Sequence, residues 1–403
     1  MQVFFSQGHL LVKEGIVMKE KQRPMRVALL GLGTVGRGVY DYILAREDME
    51  LSYVLSLTLF DGIRCKIAQS IDEILSDATV DTVIEVIGGL HPAYEWITSA
   101  IRAGKNVITA NKLLVAAHYR ELVELTAQYG VALRCTAAAG GGIPWLTTLE
   151  RTIHQEPVTR ISGIMNGTTN FILDTMHTSG GSFQSALAEA QRLGYAERDP
   201  SADISGADIL RKLVISSNIA YGRVLREEDV DVFGIETITD ADIAAFRRMG
   251  RVCKLFAASR KLENATVAYI EPSLMTPAMP EFAIPTNNNI ISLTGERIGK
   301  QSFYGQGAGR YPPAYNVVQD CVDVCRGLRG FYTDRLEPTE VDNTSVLRQY
   351  YIRTNGMDAW LQSHIDKMLD CGIITKAVSV AEVHVWARAR KQTDPACFIA
   401  SLR

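Results

Sequence analysis

Residues 25–44 read MRVALLGLGTVGRGVYDYIL. An apolar run of strand length, Met25 to Leu30, leads straight into Gly31, Gly33 and Gly36, and an amphipathic stretch of helical period follows. Gly31 permits a tight turn, Gly33 lets the backbone come close to a pyrophosphate, and Gly36 lets helix and strand pack closely. The helix start, at Thr34 and Val35, offers N–H groups and positive potential to phosphate oxygens. Glycines alone would suit an ordinary structural turn; strand, glycines and helix in this order predict a dinucleotide-binding βα unit.

The pattern continues outward. A second strand is predicted over Tyr53 to Phe60, ending in Asp61 and Gly62. DTVIEVIGG (Asp81 to Gly89) is a strand, HPAYEWITSAIRAG a helix, KNVITANK a strand, HYRELVELTAQYG a helix and VALRCTAAAGGG a last strand. Strict alternation of this kind predicts a parallel, doubly wound sheet of the Rossmann type, with ligand at the carboxyl ends of its strands. Gly88, Gly89, Asn111, Lys112 and Gly140 to Gly142 fall at those ends. Asp61 suits a ribose 2′-hydroxyl, whereas Arg64 and Lys66 suit a 2′-phosphate, which leaves NAD and NADP both open.

Near Ile143-Pro144 the pattern changes, and a second, α+β domain is predicted over 146–312 after a nucleotide-binding domain over 25–145. It holds a helix over Leu146 to His154, a strand and polar turn before a helix from Thr169, helices from Asp208 to Ala220 and Asp240 to Ser259, and strands around Val267 to Glu271 and Asn289 to Thr294. GQGAGR (Gly305 to Arg310) leads into a helix over 313–328 that returns to the first domain. With Glu337 to Asn343 as linker, residues 337–403 form a small βαββ unit: strand SVLRQYYIRT, helix Met357 to Leu369, strands IITKAVSV and AEVHVWARAR, and a last apolar stretch ACFIASL. Residues 1–24 are expected to be an extension before the first strand, with Met18 as an alternative start.

GYAERDPSADISGADILRK, from Gly194 to Lys212, crowds Glu197, Asp199, Asp203, Asp208 and Lys212 around one turn and one helix start. In a helix Asp208 and Lys212, four apart, share a face and can fix each other's position. An ordinary surface ion pair would satisfy the same spacing.

Lys and Arg number 42 against 45 Asp and Glu, and no basic run interleaves with aromatics, so neither nucleic-acid nor membrane-surface binding is expected. The seven cysteines are scattered without zinc spacing, as for reduced thiols in a cytoplasmic protein, and no stretch approaches a membrane span.

With these pieces assembled, residues 25 to 330 resemble the homoserine dehydrogenases, through GLGTVG, VIEVIGG, AGKNVITANK, AAAGGGIP, NGTTNFIL, LGYAERDPSAD, GADILRK and the GxGAG segment at 305–309. The resemblance implies reversible, NAD- or NADP-dependent interconversion of L-aspartate 4-semialdehyde and L-homoserine. It implies Lys212 as proton donor in the reducing direction, Lys112 as orienting group and partner in the proton relay, and Asp208 beside them. Two neighbouring ammoniums would be expected to depress each other's pKa. By the same resemblance Glu197 and Asp203 bind substrate with Tyr195, Gly194, Asn166 and Thr168, while Gly305 and Gly307 border the cofactor.

Three departures from the family pattern stand out. Thr136 replaces a glutamate that helps hold an alkali cation, leaving Na+ or K+ to the backbone of Thr136, Ala139, Gly141 and Ile143. Gln306 replaces a proline, and TNGMDAW replaces the Pro-Gly of an ACT-like tail of the kind used for threonine feedback. A homodimer or homotetramer is implied. A dinucleotide-sensing regulator with an ACT-like effector unit is the alternative, and it predicts nucleotide binding without turnover.

Overall fold

The computed structural model describes residues 23–330 and 336–403; most of the expected extension, residues 1–22, lies outside them. The first lobe is a six-stranded, wholly parallel sheet. Its strands run in the order Lys66–Ile67, Met49–Leu55, Met25–Leu30, Thr82–Glu85, Asn106–Thr109 and Leu133–Arg134. Chain order reverses beside Met25–Leu30, which opens a crevice at the carboxyl end of that strand. Helices Thr34–Leu44 and Tyr311–Cys325 cover one face and Ala93–Arg102 and Lys112–Tyr129 the other, burying an apolar cluster on each side. The expected return helix is thus present over Tyr311–Cys325, and it packs so closely on Thr34–Leu44 that a side chain at Gly38 would strike Arg310 and Ala314.

The second strand begins and ends earlier than predicted, at Met49–Leu55. Leu57 is fully exposed, so the apolar look of Leu57 to Phe60 belongs to a surface loop. Asp61 consequently lies in an exposed turn beyond the strand, and Ser56 occupies the strand end.

The second lobe is built on the antiparallel strands Gly299–Gln306, Asn288–Gly295, Val158–Ile164, Val252–Lys261 and Ala265–Met275. Helices Trp145–Ile153, Gly167–Thr178 and Ala207–Tyr221 pack against it; Trp145, fully buried, donates its indole N–H to Ser216 Oγ at 2.8 Å. The helix predicted over 240–259 is a helix and a strand. Gly250, at φ 67°, stops the chain after Asp240–Arg248, and Val252–Lys261 enters the sheet.

Residues 337–403 depart most from expectation. AEVHVWARAR lies within a helix, Val380–Thr393, capped by Ser379; Met357 to Leu369 divides into a helix, Ala359–His364, and a strand, Ile365–Leu369. The unit is therefore βαββαβ, with antiparallel strands in the order Phe398–Leu402, Tyr350–Arg353, Gly372–Thr375, Ile365–Leu369. Phe398–Leu402 also pairs in parallel with Ala265–Met275, so the two sheets are continuous. The expected linker is not irregular either: Glu337–Pro338 and Glu340–Val341 are short strands paired to Arg223–Val224 and Ala265–Met275. Among the described residues no helix is long and apolar enough to cross a membrane.

Candidate active site between the two lobes

Asn111 ends the loop after Asn106–Thr109 and caps the helix Lys112–Tyr129, its side-chain oxygen accepting from Leu114 N at 3.2 Å. Its amide donates to Gly89 O at 2.6 Å, tying two strand-end loops together. Lys112, the first residue of that helix, reaches out of the first lobe to the second, where its Nζ stands 3.0 Å from Asp208 Oδ1. There Gly206, at φ 91°, opens the helix Ala207–Tyr221, and Asp208 and Lys212 share one face of it. Lys212 Nζ donates to Asp208 Oδ2 and to Met165 O, each at 2.7 Å. One carboxylate thus joins two ammoniums from separate lobes.

Asn166, the cap of Gly167–Thr178, adds its amide to Asp208 Oδ2 at 2.8 Å and to Asp203 Oδ1 at 2.7 Å. Burial by itself would raise the Asp208 carboxyl; Lys212, Lys112 and Asn166 outweigh it and hold the group below the usual carboxylate range. The Asp203 carboxyl moves up, through burial first and then the Asp208 charge. The Lys112 ammonium is raised, chiefly by Asp208, against the effect of burial. The expected depression between paired ammoniums does not hold for Lys112, because an anion stands between them.

The Gly194 to Asp199 turn borders this cluster. Thr168 Oγ1 donates to Tyr195 O at 2.6 Å, and the Tyr195 ring leans on Phe171. Glu197 is exposed, with its backbone carbonyl accepting from Gln191 Nε2, and its side chain is not drawn into the Asp208 cluster. Asp199 accepts from Ser201 N at 3.1 Å, as a turn cap would.

At the other end of the crevice the chain fits a dinucleotide. Gly33 precedes Thr34–Leu44 without a capping side chain, and a Cβ there would meet nothing within 4 Å, which leaves the helix-start N–H groups at Thr34 and Val35 open to a phosphate. Gly31, at φ 99°, and Gly36 lie against each other so closely that a side chain on Gly36 would run into the Gly31 carbonyl. Gly88 and Gly89 form an exposed loop at the end of Thr82–Glu85. Lys66, a candidate phosphate partner, pairs instead with Glu73. Gly305 and Gly307 lie in and after the edge strand Gly299–Gln306, and Gly307 packs against Asn289 and Gly141 with no room for a side chain on either glycine.

The backbone cation set does not fit. Thr136, Ala139, Gly141 and Ile143 share one region, but Asn316 Nδ2 donates to Gly141 O at 2.5 Å and to Ile143 O at 3.2 Å, filling two of the expected ligands. Among the described residues no group of three or more His, Cys, Asp or Glu side chains is placed to hold a metal ion.

The sequence did not single out Glu85, Arg134, Asn316 or Asp320. Glu85, fully buried, accepts from Ile87 N and Gly88 N at 2.8 and 3.1 Å and from Thr109 Oγ1 at 2.5 Å, which shapes the Gly88 loop. Its signal was a charged residue inside the otherwise apolar VIEVIGG. Arg134 carried the same kind of signal within VALRC.

Comparisons with known proteins agree with this geometry. The family model described as homoserine dehydrogenase, NAD binding domain matches residues 31–135, and the one described as homoserine dehydrogenase matches 144–322. The homoserine dehydrogenase of Bacillus subtilis is 33% identical over 356 residues, covering 83% of this chain and 82% of that protein. That of Corynebacterium glutamicum is 37% identical over 319 residues, covering 74% and 72%. The crystal structure of a homoserine dehydrogenase from Thiobacillus denitrificans superposes with a TM-score of 0.85 at 30% identity, covering 94% of this chain and 98% of that one.

Proposed function

The chain belongs to the homoserine dehydrogenase family, and on that premise we propose how its own residues carry out the reversible NAD(P)-dependent reduction of L-aspartate 4-semialdehyde to L-homoserine. When bound, the nicotinamide supplies or accepts the hydride. The Gly31 to Gly36 turn holds the pyrophosphate, and the Gly88–Gly89 and Gly305–Gly307 segments border the nicotinamide end.

Of the three N–H bonds of the Lys212 ammonium, Met165 O and Asp208 Oδ2 fix two. The third is free to meet the carbonyl oxygen of the substrate and give it a proton as negative charge develops there. Asp208 keeps the ammonium aimed. Lys112, on the opposite side of the same carboxylate, orients the substrate and shares in the proton relay, its exposed side chain taking a replacement proton from solvent. Asp203 and Glu197 receive the substrate's ammonium group, and Asn166, Thr168, Tyr195 and Gly194 shape the wall around it. The observation that carries this reading is the single buried carboxylate shared by Lys112 and Lys212 across the lobes.

Ser56, not an acidic residue, stands where a ribose-binding carboxylate would be expected, and Asp61 is displaced into the following turn. This accommodates NADP as well as NAD. The βαββαβ unit is read as ACT-like, with threonine as candidate effector, in a cytoplasmic homodimer or homotetramer. Loss of NADH or NADPH absorbance on adding aspartate semialdehyde tests the reaction and separates it from a nucleotide-sensing regulator, which would bind without turnover. Adding millimolar threonine while following rate and oligomer size tests the tail; if neither responds, the effector role falls.

A further inference from the structure

A backbone site for Na+ or K+ needs carbonyl oxygens whose lone pairs are free to replace the ion's water shell. Where the family pattern places such an ion, this chain has put its own donors. Ile143 O accepts both Trp145 N, at 2.7 Å, and Asn316 Nδ2, and Gly141 O accepts the same amide nitrogen. An amide nitrogen offers hydrogens and no lone pair to a cation. Thr136 brings no carboxylate, and its N–H and hydroxyl both donate to Asp320 Oδ2, at 2.9 and 2.7 Å.

The remaining oxygen of Asp320 takes Arg134 Nε at 3.0 Å, so this carboxylate accepts three donors in a fully buried position. Arg134 Nη2 also reaches Glu150 at 3.2 Å and Asp323 at 2.9 Å. Asn316 and Asp320 lie four residues apart on the helix Tyr311–Cys325, on the face turned to the Thr136 and Gly141 turns. Arg134 is thus the cation that Asp320 faces here. We propose that this enzyme works without an alkali cation, the Asn316 amide holding the Gly140–Ile143 turn in the ion's place while Arg134 and Thr136 hold Asp320, one helical turn further along the same helix.

The test compares K+, Na+ and tetramethylammonium chloride at one ionic strength, reading turnover of aspartate semialdehyde and the thermal midpoint. Only the turnover arm rests on the function proposed above. The expected result is kcat/KM within about twofold and midpoints within about 2 °C across the three salts, because a ligand that does not bind cannot stabilise. A fivefold or larger loss in tetramethylammonium, or a saturable rise of the midpoint with K+ or Na+, would overturn the proposal. Absence of turnover in every salt would count against the assigned reaction instead, with the midpoints still deciding the cation question. Asn316→Ala frees Gly141 O and one lone pair of Ile143 O, and is expected to gain a saturable K+ or Na+ dependence of its midpoint. A folded variant as indifferent as its parent would overturn the part assigned to Asn316; if Asn316→Ala does not fold, Asn316→Ser is measured in its place.

Discussion

Two buried clusters in this protein are made of the same materials and are finished differently. Around Arg134 a fully buried guanidinium meets Asp320, Asp323 and Glu150, and Asp320 accepts three donors. Around Asp208 two lysines share one carboxylate, yet the Lys112 side chain is 39% exposed and Lys212 keeps an N–H for a newcomer. A closed network ties the Arg134–Thr136 segment to the helix Tyr311–Cys325. An open one leaves hydrogen-bonding capacity unspent, which is what the proposed proton donor requires.

The contrast predicts that the first cluster fails through stability and the second through turnover. Lys212→Ala should lower kcat by roughly a thousandfold while dinucleotide affinity, measured by fluorescence titration, stays unchanged. Retention of more than a tenth of the parent kcat would refute the proton-donor role. Arg134→Met strands buried carboxylates and should cost about 3–5 kcal/mol in urea unfolding, with kcat at low temperature close to the parent's. Lost turnover with unchanged stability would erase the distinction between the clusters.

Lys112→Ala should reduce kcat/KM by about tenfold to a hundredfold, less than Lys212→Ala, because it orients and relays without donating directly. An effect as large as that of Lys212→Ala would make the two lysines equal partners. Glu197→Ala, in the exposed turn, should raise KM for the semialdehyde by about tenfold at nearly constant kcat, as for loss of one charged hydrogen bond. A fall in kcat alone would exclude it from binding.

The smallest expected effect concerns pH. Burial raises the Asp320 carboxyl to about 6, with Arg134 pulling the other way, against an ordinary value of 3.8. The folded state then binds more protons than the unfolded one between these values, so this contribution is fully present below about 4 and is lost as pH rises through about 6. Asp208 has the opposite sign: its folded value is depressed, and its contribution is present above the ordinary 3.8 and lost in stronger acid. Urea unfolding at a series of pH values should show a flatter slope between pH 4 and 6 for Asp320→Asn than for the parent; an unchanged slope would contradict the assignment.

Much of this was legible where local signals agreed. The strand, glycines and helix of residues 25–44 are all present, and Asp208 and Lys212 share a helix face as their spacing predicts. Reading failed where a local pattern was ambiguous. AEVHVWARAR alternates like a strand because Val385, 64% exposed, adds an apolar residue on the outside of a helix whose inward positions are Val380, Val383, His384, Trp386 and Ala387. Gly250 was a stop signal inside an apolar run, and only sheet pairing reveals the strand that follows it. The Arg134 network joins residues up to 189 positions apart, a distance at which no spacing rule operates. For the same reason the pairing of Asp208 with Lys212 could be read from sequence, but not its pairing with Lys112.

That last contact runs across the seam between the nucleotide-holding half and the half bearing Asp203. Prying the halves apart strips a buried anion of one of its counterions, which penalises the open form electrostatically. If Asp203 receives the substrate's ammonium group as proposed, that group would make good the loss and tie entry to the cleft to the visitor's own charge. An aldehyde of the same length without an amino group would have to open the seam unaided.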